Sequence, residues 1–316
     1  MKLGDIFDLA IEQGKESDLR DKSEIAKMLE EKQKAYDEMK GNEKDSFDKE
    51  ELSNPYSDTR ILYGSKDKEV KRVLAGIDID TGEMLLADRL SERGEQIDLV
   101  IAHHPEGKAL ANLHSVMHLQ EDILHQLGVP INVAQGIMAS RIGEVERGLL
   151  PLNHNRAVDT ARLLDIPLMC LHTPADNVVV DYLTKLFDEK SPETVGEVIK
   201  LLKDIPEYQE AIKIGAGPKV VTGAKNRKAG KIFVDMTGGT GGSEKAYEKL
   251  SAAGIGTIVA MHMGEKHRKE AEKNHINVII AGHLASDSLG MNLILDKLQQ
   301  RGVEVMTCSG LTRVSR

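Results

Sequence analysis

Short apolar segments alternate with helical patterns along most of this chain, and this alternation limits the possible folds more than any other feature. Buried strands are predicted for VKRVLAGIDID, IDLVIAHHP and PLMCLHTPAD, and later for KIFVDM, TIVAM, NVIIAG and VEVMTCSG. Helical patterns separate most of them, which favours parallel sheets covered by helices. The sequence therefore predicts an α/β fold.

Four segments can be separated by their patterns. Residues 1–53 form a charged helical extension, with one helix over 3–13, a second that begins with Ser23 as its N-cap, and a mobile linker over 41–55. Residues 54–176 form a first α/β half, and residues 177–230 form a variable, Gly- and Lys-rich middle. Residues 231–316 form a second α/β half. The sequence contains no clear internal repeat.

Composition excludes several classes of function. The 42 basic and 51 acidic residues among 316 give a formal charge of −9, which argues against nonspecific binding of nucleic acid. Four Phe, six Tyr and no Trp provide little for stacking on bases. No apolar run reaches the roughly 18 residues of a membrane helix, and the acidic N-terminus is not a secretory signal. Two distant cysteines, Cys170 and Cys308, favour a reducing cytoplasm.

Polar clusters follow three of the predicted strands, at the point where each strand ends. Ligands of open α/β sheets bind at the carboxyl ends of strands, and imidazole with carboxylate is a typical ligand set for Zn, Mn, Fe or Ni. For each cluster alone, structural, hydrogen-bonded histidines are the favoured interpretation. Three such clusters together predict a metal site in a central cleft shared by the two halves. The clusters contain His103, His104, His172, Asp176, His283 and Asp287.

The segments LVIAHHP, CLHTPADN and IIAGHLASDSLGM resemble, in this order, the motifs of the Nif-three-like dinuclear metal-binding family, which is also called GTP cyclohydrolase type two. The likeness extends more weakly from about residue 54 to residue 310. It implies two divalent metal ions, and a homo-oligomer that is commonly a hexamer. At position 287 the family usually has Glu, so the Asp of this chain is one methylene shorter. The resemblance implies as metal ligands His103, His104, Asp176, His283 and Asp287.

Counting ligand atoms leads to a reaction class. Five side chains supply about seven donor positions, whereas two ions need about eight to twelve, so water or substrate fills the rest. A water that bridges two ions becomes a hydroxide nucleophile near neutral pH. We therefore expect a metal-dependent hydrolase. Its substrate is expected to be small and phosphate-bearing or nucleotide-like, on the strength of the family name and of the turn GGTGGS, whose N–H groups could hold a phosphate.

Two alternatives remain open: a non-enzymatic regulatory or interaction protein that docks through residues 1–53, and a protein for metal storage or delivery. Around the site, His172 and His262 are expected as accessory catalytic groups, and Asp78 is expected to orient a ligand by a hydrogen bond. His114 and His118 would share a face of one helix over 113–127, where a structural role is favoured.

Overall fold

The computed structural model describes residues 1–316. The helices are α1 (Leu3–Glu16), α2 (Lys22–Glu38), α3 (Asn42–Ser46), α4 (Thr81–Glu92), α5 (Gly107–Ala111), α6 (Leu113–Val116), α7 (Leu119–Gln126), α8 (Ile131–Leu149), α9 (Arg156–Leu164), α10 (Thr173–Lys190), α11 (Val195–Lys203), α12 (Pro206–Lys213), α13 (Ala246–Ala252), α14 (Glu265–Lys273) and α15 (His283–Gln300), with a 3₁₀ helix over Lys49–Leu52. The strands are β1 (Arg60–Tyr63), β2 (Arg72–Gly76), β3 (Leu99–Ala102), β4 (Leu168–Cys170), β5 (Lys219–Thr222), β6 (Lys231–Asp235), β7 (Ile255–Ala260), β8 (Asn277–Ile280) and β9 (Glu304–Cys308).

The strands form two sheets, which confirms the α/β prediction. The first sheet has the order β1-β4-β3-β2-β9, and all its pairs are parallel except β1 with β4. The second has the order β5-β8-β7-β6, and only β5 pairs antiparallel. Each sheet therefore contains an antiparallel edge strand followed by three parallel strands in reverse chain order. The two halves repeat in topology although the sequence shows no repeat.

The last strand returns from the second half to the first sheet, where β9 pairs with β2. One apolar core accordingly contains side chains from both sheets, such as Val73 and Leu99 of the first and Ile258 and Val278 of the second. Because these residues are fully buried in one apolar cluster, the two halves pack against each other across a shared core, beside two smaller apolar clusters.

The N-terminal segment differs from its prediction in three respects. Helix α1 belongs to the core, since Leu3, Ile6 and Phe7 are buried in it, whereas α2 buries only Ile25. The predicted linker contains α3 and the 3₁₀ helix. Ser23 is not the N-cap of α2, because Asp21 caps this helix reciprocally with Glu24.

One further helix departs from expectation. The helix expected over 113–127 is divided into α6 and α7. Helix α8 begins at Ile131, directly after Pro130. Every helix is either too short or too polar to span a lipid bilayer.

Candidate metal centre

Three strand ends carry the candidate ligands. Strand β3 runs into His103 and His104, whose backbone N–H groups continue the hydrogen-bonding pattern alongside β2. The two imidazole rings lie 5.2 Å apart, so they converge on one site as predicted.

The other candidate ligands lie at the starts of two long helices. His172 precedes α10 and Asp176 lies in its first turn, while His283 begins α15 and Asp287 follows one turn later. Gly282, with a φ of +121°, allows the sharp change of direction from β8 into α15.

Asp287 occupies the centre of the site. Its side chain is buried, its Oδ1 lies 3.5 Å from His103 Nε2, and its Oδ2 lies 3.7 Å from His104 Nε2 and 3.6 Å from His283 Nε2. Neither oxygen accepts a hydrogen bond. The shorter Asp side chain thus still presents one oxygen to His103 and the other to His104 and His283.

Asp176 lies beside His103 and Asp287 and forms a second group of candidate ligands with them. Its Oδ1 lies 3.5 Å from His103 Nε2, and both atoms are buried without a hydrogen-bond partner. These separations are too long for normal N–H···O hydrogen bonds. They suit two ligand atoms that each lie about 2.1 Å from one tetrahedral ion, because such atoms are roughly 3.4 Å apart. The buried histidine and aspartate groups could therefore hold metal ions.

Hydrogen bonds on the far side of three rings orient them toward the site. Nδ1 of His103 donates to the Leu171 carbonyl oxygen at 3.0 Å, and Nδ1 of His104 bonds to Asp78 Oδ1 at 2.6 Å. Nδ1 of His172 bonds to Asp58 Oδ2 at 2.8 Å. A proton held at Nδ1 leaves Nε2 free as a ligand or base, so the expected role of Asp78 agrees with the geometry.

Burial and charge set the protonation of the site. Burial, together with the neighbouring His103 and His172, lowers the pKa of His104 to about 4, so this ring is neutral at pH 7. Burial raises the pKa of Asp176 well above its usual value. Burial alone would also raise the pKa of Asp287, but the surrounding imidazoles, His103 first, hold it below the usual value. A bound cation would favour the ionised form of both carboxylates.

His172 and His262 lie beside the five predicted ligands. His172 Nε2 is 3.8 Å from Asp176 Oδ2 and within metal-ligand reach of His103 and His104. The His262 ring lies 4.9 Å from the His283 ring. Both histidines line a cavity that opens beside the site. They are therefore placed where accessory groups were expected.

The structure also separates some residues from the site and adds one to it. His114 and His118 do not share a single helix; His118 bonds to Glu121 at 3.0 Å, as a structural histidine would. Asp58 was missed at the sequence level. It is fully buried, and it accepts hydrogen bonds from His172 and, at 2.6 Å, from Thr173 Oγ1.

Fold and site together define a class of protein: a mixed α/β protein with adjoining buried groups of histidine and aspartate that could hold metal ions. No protein-family model and no curated protein matches the sequence. The chain is similar to the crystal structure of a NIF3 superfamily protein from Sphaerobacter thermophilus. The two share 30% sequence identity with a TM-score of 0.71, over 81% of this chain and 92% of that chain. The chain belongs to the NIF3 superfamily, which confirms the Nif-three-like resemblance.

A second similar structure is reduced HcgD from Methanocaldococcus jannaschii. It shares 16% sequence identity with a TM-score of 0.51, over 78% of this chain and 87% of that chain. At this identity the similarity supports the fold alone.

Proposed function

We propose that the protein is a dinuclear metal-dependent hydrolase that acts on a small phosphate-bearing or nucleotide-like substrate. Two divalent ions among Zn, Mn, Fe and Ni would be bound. The observation that carries this proposal is the buried Asp287 carboxylate, whose two unpaired oxygens face different imidazole groups. The proposed ligands are His103, His104, Asp176, His283 and Asp287.

The donor set argues for cations on energetic grounds. An uncompensated charge in a protein interior costs roughly 3 to 5 kcal/mol, and buried polar atoms are almost always paired. Here four such atoms, on His103, Asp176 and Asp287, face one another without donors between them. Divalent ions would satisfy all four. One ion would be held by His104, His283 and Asp287, and the other by His103, Asp176 and Asp287.

When bound, a pair of divalent ions lowers the pKa of water toward neutrality and polarises a carbonyl or phosphoryl group. The chain supplies the remaining chemistry. Asp58 accepts the hydrogen bond from His172 Nδ1, which leaves Nε2 as a base, and His172 lines the cavity, so His172 is suited to accept a proton there. Burial keeps the His104 ring neutral, and the hydrogen bond to Asp78 orients it. His262, an exposed residue of the cavity lining, would contact the substrate.

Elemental analysis after gel filtration tests the metal claim, and the same column measures the predicted homo-oligomer. We expect about two divalent ions per chain. Replacing His103 and His104 by Ala should abolish binding, whereas His118→Ala, which alters an exposed histidine away from the site, should leave the metal content unchanged. Fewer than about one ion per chain after loading with Mn or Zn would refute the proposal.

Activity is a separate measurement. Metal-loaded protein would be screened against phosphoesters, nucleotides and cyclic amides. Asp287→Ala should abolish any turnover while His118→Ala retains it. Turnover that survives in Asp287→Ala would place the reaction elsewhere in the molecule.

The exposed helix α2 favours a second candidate, a non-enzymatic metal-binding interaction protein. Sixteen of its seventeen residues are not buried, so it is available to a partner in a way that α1 is not. Normal metal content with no turnover on any of these substrate classes would favour this candidate over the hydrolase.

A further inference from the structure

A glycine-rich loop between β6 and α13 borders the cavity beside the proposed metal centre. Side chains bind four of the five carbonyl oxygens of its residues 238–242. Gln120 Nε2 donates at 2.7 Å to both the first and the third carbonyl oxygen. Arg141 Nε donates to the fourth and His267 Nε2 to the fifth, each at 2.9 Å. The loop is therefore held in one conformation.

The N–H groups of the same five residues donate to no acceptor in the protein. Residues 239–241 line the cavity, together with His172, Asp176 and His283. Successive free N–H groups at a concave surface are a common way to bind anionic oxygen atoms. Because four of the five carbonyl oxygens are held by side chains and the N–H groups make no internal hydrogen bond, the loop can present its donors to a ligand without first breaking one.

Gly241 distinguishes this loop from an ordinary tight turn. Gly238 and Gly239 both have a φ of +87°, and a Cβ at either would clash with Gln120 or Val116. A Cβ at Gly241 would meet only His262 Cε1, at 3.9 Å. Neither backbone strain nor packing requires glycine at 241, and its missing side chain leaves room in the cavity.

We propose that residues 239–241 bind a phosphoryl group of the substrate beside the metal centre. The proposal deepens the proposed function and rests on it for the nature of the substrate. The cavity is polarised, since the Asp235 carboxylate also lines it and has no hydrogen-bond partner in the protein. A phosphoryl group is therefore bound at the loop, and Asp235 faces a part of the substrate that donates hydrogen bonds.

The test compares two glycine variants. Protein loaded with Zn and freed of excess Zn is titrated with inorganic phosphate, followed by ³¹P NMR and calorimetry. Gly241→Ala adds a methyl group to the loop where it meets only His262 Cε1, without a clash. By narrowing the space beside the N–H groups it should weaken phosphate binding about tenfold, as expected for the loss of a hydrogen bond to a charged group. The matched control is Gly136→Ala on the exposed surface of α8, where a Cβ meets nothing within 4 Å. It should bind phosphate like the wild type.

A second variant changes the loop without adding atoms to the cavity. Gln120→Ala releases two carbonyl oxygens and should weaken phosphate binding in the same direction. Zn content should be unchanged in all variants, because none of them alters a proposed ligand. Phosphate affinities within twofold of wild type for both Gly241→Ala and Gln120→Ala would mean that phosphate contacts the ions alone, and would overturn the proposal. A failure of the proposed function would be seen separately, as missing metal in the wild type.

Discussion

Asp18 connects the N-terminal segment to the body of the protein, and its removal should be among the most destabilising single changes. Its carboxylate is fully buried and lies 2.8 Å from the Arg20 guanidinium, which is itself only 6% exposed. It also accepts a hydrogen bond from Tyr56 Oη at 2.9 Å, and Asn177 Nδ2 lies 3.3 Å away. Asn177 directly follows the proposed ligand Asp176, so this network supports the start of α10.

The expected magnitude follows from what remains after the change. In Asp18→Ala the Arg20 charge stays buried, and its next carboxylate, Asp122, is 3.9 Å away and half-exposed. Removing one partner of a buried ion pair costs about 3 to 5 kcal/mol. Since total stabilities are about 5 to 15 kcal/mol, the variant should lose about a fifth or more of its free energy of unfolding.

Equilibrium unfolding in urea of Asp18→Ala, Arg20→Ala and the double variant measures this energy. The double variant should lose at least about 1 kcal/mol less than the sum of the single losses, because the second change removes an uncompensated charge. Asp67→Ala breaks a comparable contact with Lys2 at an exposed position and should leave the urea midpoint unchanged. A loss below about 1 kcal/mol for Asp18→Ala, or strict additivity, would refute the reasoning.

Three further predictions concern the site and its surroundings. Asp78→Ala removes the hydrogen bond that orients His104 and should weaken metal binding about 10- to 100-fold in a chelator competition, with an unchanged melting temperature of metal-free protein. Gly290→Ala forces a methyl group against the Ala175 carbonyl oxygen between α15 and α10, and should cost about 1 to 3 kcal/mol in urea unfolding; an unchanged midpoint would contradict this packing. Burial raises the pKa of Asp235 to about 6, so the folded state holds this proton more tightly and loses stability as the pH rises from about 4 to 6. Asp235→Asn should therefore stabilise the protein by about 1 to 2 kcal/mol at pH 7 but not at pH 4. The effect stays below the full value of the pKa shift because Asp235 is only partly buried. Equal effects at pH 4 and pH 7 would exclude burial of the carboxylate as the cause.

The fold was predictable where strands are buried on both faces. Strands such as β3 and β7 consist of near-continuous apolar residues, because helices cover both faces of a parallel sheet. The edge strand β1 was missed because its four residues, RILY, are partly exposed and carry no alternation. It is a strand only because β4 lies beside it. Tertiary pairing of this kind cannot be inferred from a local pattern.

The candidate site was predictable for the same reason as the buried strands, and Asp58 shows the limit. His103 and His104 follow a strand that is recognisable on its own, so the expected location was the carboxyl edge of the sheet. Asp58 instead precedes β1. Because β1 runs antiparallel to β4, its beginning lies at the same edge as the ends of β3 and β4. The polar pair Asp58-Thr59 ahead of RILY is the only local signal, and it has no meaning until the strand direction is known.

The repeated topology explains why the centre lies between the two halves. In each half the strand beside the antiparallel edge strand leads into an 18-residue helix, and each helix begins with a His and an Asp four residues apart. Gly290 lets α15 approach the Ala175 carbonyl oxygen of α10. Asp176 and Asp287 are thereby brought to the same His103 ring from opposite halves. On the proposed ligand assignment, ion binding requires both helix starts to be packed together. An ion that binds only this packed state stabilises the junction of the two halves in proportion to its affinity, so metal binding and assembly of the shared core are one linked equilibrium.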